Sequence, residues 1–329
     1  MAKARLLFAI CYSLFALVVL ASTSAAQAQS WPQRPVKLLV PFAAGGNIDV
    51  MGRLAAARLS ETLGQQFVVE NRVGGNGIIA TEAVARAPAD GYTLLWSSTS
   101  VVAIFPAMTK VNYDPAKDLA PISLFSTSPQ VLIVNPKVPA NSLAEFVAYV
   151  KSQKDKLVYA GGGGPGSVSN LLMATFLKRA DLEMSNVSYR GTSIALTDVI
   201  AGHVPTMFIP ISEALPQARA GSVRMLAVSS ATRSREAPEV PTIAESGYPG
   251  FDFTSWTGLM APAGTPKEIV DRMAAEIGRA FTDPQFVANM QKAGVEPAAN
   301  ASPAEFGVFI GKEIARWSEA VKIAGVTLQ

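Results

Sequence analysis

The chain has 329 residues, with 28 Lys+Arg against 25 Asp+Glu, one histidine and one cysteine. A net charge of +3 leaves no basic field to argue for nucleic acid or an anionic membrane surface. With only His203 and Cys11 available and no D-x-[DN]-x-[DN]-G loop, no metal site or cofactor is expected.

Lys3 and Arg5 precede an apolar run from Leu6 to Ala21, and small and polar residues follow as far as Ala26-Gln27-Ala28. This is the pattern of a signal peptide cleaved before Gln29, and the run is shorter than the roughly 20 residues a spanning helix needs. Residues 1–28 are therefore expected to be removed on export to the periplasm. Cys11 sits inside the apolar run behind Ile10, where a lipoprotein signal carries a small residue. The mature chain then holds 26 basic and 25 acidic residues and no thiol. Its length suggests about two domains.

Strand and helix patterns then alternate, which argues an α/β fold. Val36 to Val40 reads as a strand, Phe42-Ala43-Ala44-Gly45-Gly46 as a loop, and Asn47 as the N-cap of a helix. Met51, Leu54, Ala55, Leu59 and Leu63 share one face of that helix, which Gly64 ends. Phe67 to Val69 is the next strand. The turn Gly74 to Gly77 opens a helix stopped by Pro88, and Tyr92 to Trp96 is a third strand running into Ser97-Ser98.

A second unit starts with the strand Val131 to Val134 and the capping box of Ser142 and Glu145. Leu157 to Ala160, Val187 to Tyr189, Val204 to Ile209 and Arg224 to Ser229 are its further strands, with helices from Ser167 to Arg179 and from Thr192 to Gly202. The last third is helical, punctuated by Thr265-Pro266, Asp283-Pro284 and Ser302-Pro303. Those helices need an apolar surface, and returning to the first unit is the simplest way to supply one.

Three strand ends run into glycine-rich helix starts: Phe42 to Asn47, Gly161 to Ser167, and Gly191-Thr192-Ser193. The first N–H groups of a helix lack partners and its dipole is positive there, so an anion is the natural occupant. Each loop taken alone reads equally as a tight turn. Gly161, Gly163 and Gly166 match G-x-G-x-x-G only because the segment is glycine-rich, and no P-loop exists. Gly191 to Ala195 is close to a nucleophile elbow, but a hydrolase would need the lone His203 as its base. Asp49, in the first turn of its helix, suits either a dipole contact or a place at the pocket.

Taken together, Trp31 to Gly46, Val69-Glu70-Asn71-Arg72, Asp90 to Leu95, Tyr189-Arg190-Gly191, Pro241 to Glu245 and Ser255 to Pro266 resemble the receptors of tripartite tricarboxylate transporters, also called Bug-type receptors. The resemblance covers essentially the whole mature chain in order. It implies a two-lobed Venus-flytrap fold, lobe one from 29–126 and 251–329 and lobe two, inserted in it, from 127–250. It implies a monomeric binding protein, not an enzyme, that captures a small organic carboxylate in the cleft and delivers it to a membrane permease. Presentation of the closed state to a sensor kinase is the alternative, and the residues do not separate the two.

The ligand carboxylate would be held by the loops Phe42 to Asn47 and Arg190 to Ser193, largely through backbone N–H groups. The candidate site is Phe42, Ala43, Ala44, Gly45, Gly46, Asn47, Asp49, Ser97 and Ser98 on one side. Gly163, Ser167, Arg190, Gly191, Thr192, Ser193 and Ile209 stand on the other. Many relatives carry Asp-Asn where this chain has Ile209-Pro210, and often His in place of Asn170. If Ile209 faces the cleft, its apolar surface favours a carboxylate with an apolar or aromatic body over an amino acid.

Overall fold

The computed structural model describes residues 31–153, 157–164, 166–292, 295–298 and 302–326; the expected signal peptide lies outside them. The Val/Leu run Val36–Val40 forms strand β1, one strand in from the edge of the first sheet, with only Lys37 exposed. Parallel to it lie β2 (Phe67–Asn71) on one side and β3 (Thr93–Ser98) on the other. Antiparallel β9 (Thr254–Pro262) follows β3, then β4 (Leu119–Val134) and the short β10 (Glu296–Pro297).

One long strand builds the joint between the two lobes. From Leu119 to Pro129, β4 pairs with β9; from Gln130 to Val134 it pairs instead with β7 (Thr206–Pro210) and β8 (Arg224–Val228), all antiparallel. The parallel pair β5 (Val158–Gly162) and β6 (Ser185–Tyr189) lies beside β7. A second crossing is pinned where Ser229 Oγ donates to Phe253 O at 2.6 Å and Phe253 N–H donates back to Ser229 O at 2.8 Å.

Helix α1 (Asn47–Leu63) buries Met51, Ala55 and Leu59 against the first sheet, in a core that also holds Trp96, Phe125 and Met273. The left-handed Gly64 caps it, as the sequence suggested, but Gly46 and not Asn47 is the N-cap. Helices α2 (Ile78–Ala85) and α3 (Phe105–Met108) lie along the rest of this lobe; a π-helical turn, Ser100–Ile104, leads into α3.

The second lobe carries α4 (Leu143–Ser152), α5 (Val168–Arg179), α6 (Thr192–Ala201) and α7 (Ile211–Arg219). Its strands alternate between two cores. Leu132 and Phe208 face the cluster of Phe146, Phe176 and Phe251, whereas Ile133, Met207 and Ile209 face that of Ala195 and Val199.

Helix α8 (Lys267–Ala280) packs on α1 and β4 and is followed by α9 (Pro284–Lys292). The last helix, α10 (Pro303–Ala324), begins at a capping box formed by Ser302 and Glu305. Its first half lays Phe306 and Ile310 against Trp256 and Met260. Its second half puts Trp317, Ala320 and Val321 into the Phe176–Phe253 core of the other lobe. The last third thus does not return wholly to the first lobe, because α10 is long enough to straddle both.

Candidate functional site

A cavity of about 170 Å³ opens between the lobes. Asn47, Ile48, Ser98, Thr99 and Ser100 line it from the first lobe, and Val168, Pro210 and Glu213 from the second. The crossing strands contribute Ser126, Ser128, Ser255, Trp256 and Thr257, and Val295 closes one side. Its floor is a hydroxyl row knit to itself. Ser126 Oγ and Thr257 Oγ1 are 2.8 Å apart, and Ser255 Oγ donates to Ser128 O at 3.0 Å. A separate hollow of about 240 Å³ beside Thr127–Pro129 and Ser230–Glu236 gathers none of the glycine loops. Its Arg233 is committed to Glu245 at 2.9 Å and to Pro238 O at 3.1 Å.

The first wall includes Asn47 and Ile48 at the start of α1, and the loop between β1 and α1 leads into it. Gly46 caps α1 without any side-chain acceptor, so the first-turn N–H groups and the positive end of the dipole remain available to an anion. Ala43 to Asn47 are exposed and Phe42 is half-buried. Asp49 holds this loop from behind. Its Oδ2 accepts from Gly45 N–H and Arg53 Nε, both at 2.9 Å, and its Oδ1 accepts from Asn71 Nδ2 at 2.7 Å. Asn71 Nδ2 also donates to Phe42 O at 3.0 Å. Burial pushes the Asp49 carboxyl upward, but hydrogen bonds from Arg53, Gly45 and Asn71 outweigh it and hold the group below its ordinary 3.8. Asp49 therefore shapes the loop and is spent in doing so.

Strand alternation separates Ser97 from Ser98. Ser97 Oγ donates to Gly258 O at 2.7 Å within the sheet. Ser98 points the other way, lines the cavity, and its buried Oγ has no partner. A buried hydroxyl left unpaired costs about 1–3 kcal/mol, so this one is poised for a ligand.

On the second wall the two glycine loops touch. A Cβ on Gly162 would lie 3.0 Å from Thr192 Cα, so glycine allows this approach where any side chain would press on the neighbouring backbone. Gly163 adopts φ +91, and Ser167 caps α5 by accepting from Asn170 N–H at 3.2 Å, which brings Val168 to the cavity. Gly191 caps α6 with no side chain, Ser193 and Arg190 are exposed, and Arg190 forms no hydrogen bond or ion pair among the described residues. Thr192 Oγ1 donates to Glu213 at 3.1 and 3.4 Å. These loops stand beside the cavity wall and reach it through Val168 and Glu213.

Ile209 is not a cleft residue. The alternation of β7 turns it into the core with Met207 and Ala195, fully buried, and only the strand end, Pro210, reaches the cavity. The apolar ligand surface expected of it is absent. Asn170 is structural: its buried Oδ1 accepts from Tyr159 Oη at 3.0 Å.

A model of the tripartite tricarboxylate transporter family receptor matches residues 51–326. The chain belongs to this family. Protein BugT of Bordetella pertussis is 36% identical to this receptor over 304 residues, 92% of this chain and 93% of that one. A solved R. palustris protein with adipate superimposes at TM-score 0.78 with 35% identity, covering 91% of this chain and 99% of that one. MatC from Rhodopseudomonas palustris with bound malate gives 0.76 and 34%, covering 88% and 100%. The periplasmic binding protein BugD gives 0.76 and 34%, covering 91% and 100%. This receptor is accordingly a two-lobed transport protein and not an enzyme, and none of its described helices is long and apolar enough to cross a membrane.

The hydrolase alternative fails on geometry as well. Ser193 lies in the first turn of α6 and His203 beyond its end at Gly202, about 15 Å apart along a helix of ten residues. His203 Nδ1 instead faces Asp198 Oδ1 at 3.5 Å on the surface.

Of the described cavity residues that sequence reasoning missed, Glu213 alone is ionisable. It occupies the first turn of α7, and the signal was there: an acid three residues past a strand-ending proline, in a helix whose N-cap, Pro210, offers no acceptor. Burial pushes its carboxyl up, only partly opposed by the Thr192 hydroxyl.

Proposed function

We propose that the chain is a monomeric periplasmic receptor that captures a small organic carboxylate in the cavity between its lobes and delivers it to a membrane permease. The observation that carries this is the meeting, in one cavity, of the side-chain-free start of α1 and the unpartnered Ser98 Oγ. Hydrogen bonds to a charged group contribute about 1.5–3 kcal/mol each, so three or four such donors supply micromolar affinity, about 8 kcal/mol, without a cationic side chain. Relatives solved with adipate and with malate support the same ligand class. Residues 1–28 act as the export signal in this reading, with lobe one formed by 29–126 and 251–329 and lobe two by 127–250.

A thermal-shift screen of mono- and dicarboxylic acids tests it. A ligand at 100 times its Kd stabilises by about 2.7 kcal/mol, a shift of a few degrees. Silence across the whole screen would refute the carboxylate reading.

A further inference from the structure

Among the described residues lining the cavity, Glu213 alone is ionisable; the rest are hydroxyl, amide or apolar. Among the described residues its carboxylate is engaged only by the neutral Thr192 hydroxyl, and no cationic side chain acts on it. A carboxylate partly withdrawn from water without a counter-charge is costly. Burial pushes the Glu213 carboxyl up, and the first turn of α7, in which it sits, works against that push. A cavity that attracts an anion at one wall therefore carries a negative group at the other.

The two walls differ in sign and in chemistry. Asn47 and Ile48, at the open start of α1, and the unpartnered Ser98 Oγ face the cavity from the first lobe, with Glu213 on the second. We infer that Glu213 receives a cationic nitrogen of the ligand, so that the receptor takes an amino-carboxylate with its carboxylate at the start of α1 and its ammonium at Glu213. This rests on the carboxylate reading above and adds the second ligand group and the residue that selects it.

Calorimetry on the mature chain with pairs matched in skeleton tests the inference: aspartate and succinate, glutamate and glutarate, 5-aminopentanoate and pentanoate. In at least one pair the amino member is expected to bind tenfold or more tighter than its partner. Glu213→Gln, which keeps an acceptor for Thr192, should erase that preference by weakening the amino ligand relative to its amine-free partner. Equal or tighter binding of the amine-free member in every pair overturns the inference whether or not the variant folds, and leaves the receptor reading standing. A preference that survives in Glu213→Gln overturns it too. If no member of any pair binds, this inference falls, and the broad carboxylic-acid screen decides separately whether the receptor reading stands.

Discussion

Asp49 and Gly46 divide the work of the first loop. Asp49→Asn keeps the shape but sets an amide against the donors Arg53 and Asn71, and is expected to cost about 1–3 kcal/mol at neutral pH. The folded carboxyl lies below its ordinary 3.8, so its contribution is fully present above that value and is lost as pH falls through the lower folded value. The Tm difference between wild type and variant should therefore hold steady from neutral pH down to about 5 and close as pH drops further; a difference that persisted in strong acid would remove the ionised Asp49 from the account. Gly46 has φ −75 and ψ 164, open to any residue, and its Cβ would meet only Ala43 O at 3.8 Å. Gly46→Val should fold normally and lose more than tenfold in ligand affinity, whereas Arg190→Ala, exposed and unpaired, should lose tenfold or less. The reverse ranking by calorimetry would make Arg190 the clamp. The loops themselves were legible in sequence, because glycine at a strand-to-helix junction states a backbone need. Side-chain direction was not: the sequence does not say that β7 turns Ile209 into the core, or that β3 turns Ser97 and Ser98 to opposite sides.

Elements with strong periodicity were legible in sequence, and those built by pairing were not. Helix α1 announced its apolar face, and Ser302-Pro303 announced the start of α10. Strand β4 was visible only in its Val131–Val134 part, because Pro121, Pro129 and several serines interrupt the alternation across Leu119–Pro129. It is a strand there because β9 supplies its partners, with register shifts between Pro121 and Ser123 and between Leu124 and Ser126. The straddling of α10 was hidden for the same reason, since apolar residues along a helix do not say which lobe they meet. Its seating depends on Gly258 of β9: a Cβ there would lie 2.6 Å from the Phe306 ring and 2.8 Å from Ser123 O. The ring can shift but the backbone oxygen of a paired strand cannot, so Gly258→Ala is expected to cost about 1–3 kcal/mol, read as a lower midpoint in urea with an unchanged slope. A wild-type midpoint would show that α10 is not held at this contact.

At the scale of the whole molecule, two lobes are joined by β4, by the Ser229–Phe253 link and by α10, with the cavity between them. A ligand favours the closed arrangement only through contacts that differ between open and closed states. Contacts to one wall alone would bind without closing anything. The start of α1 with Ser98 on one wall, and Glu213 on the other, give a ligand with a group for each side such a difference. Small-angle scattering should then show the radius of gyration fall at saturation with the tightest ligand, by on the order of 1 Å against roughly 19 Å for a compact chain of this length. Glu213→Gln saturated with the same ligand should contract less, because its second wall has lost the charge that the ligand bridges to. Contraction equal to that of wild type would assign closure to the first wall and the hydroxyl floor, and no contraction in either would mean that α10, seated on both lobes, holds them at a fixed angle.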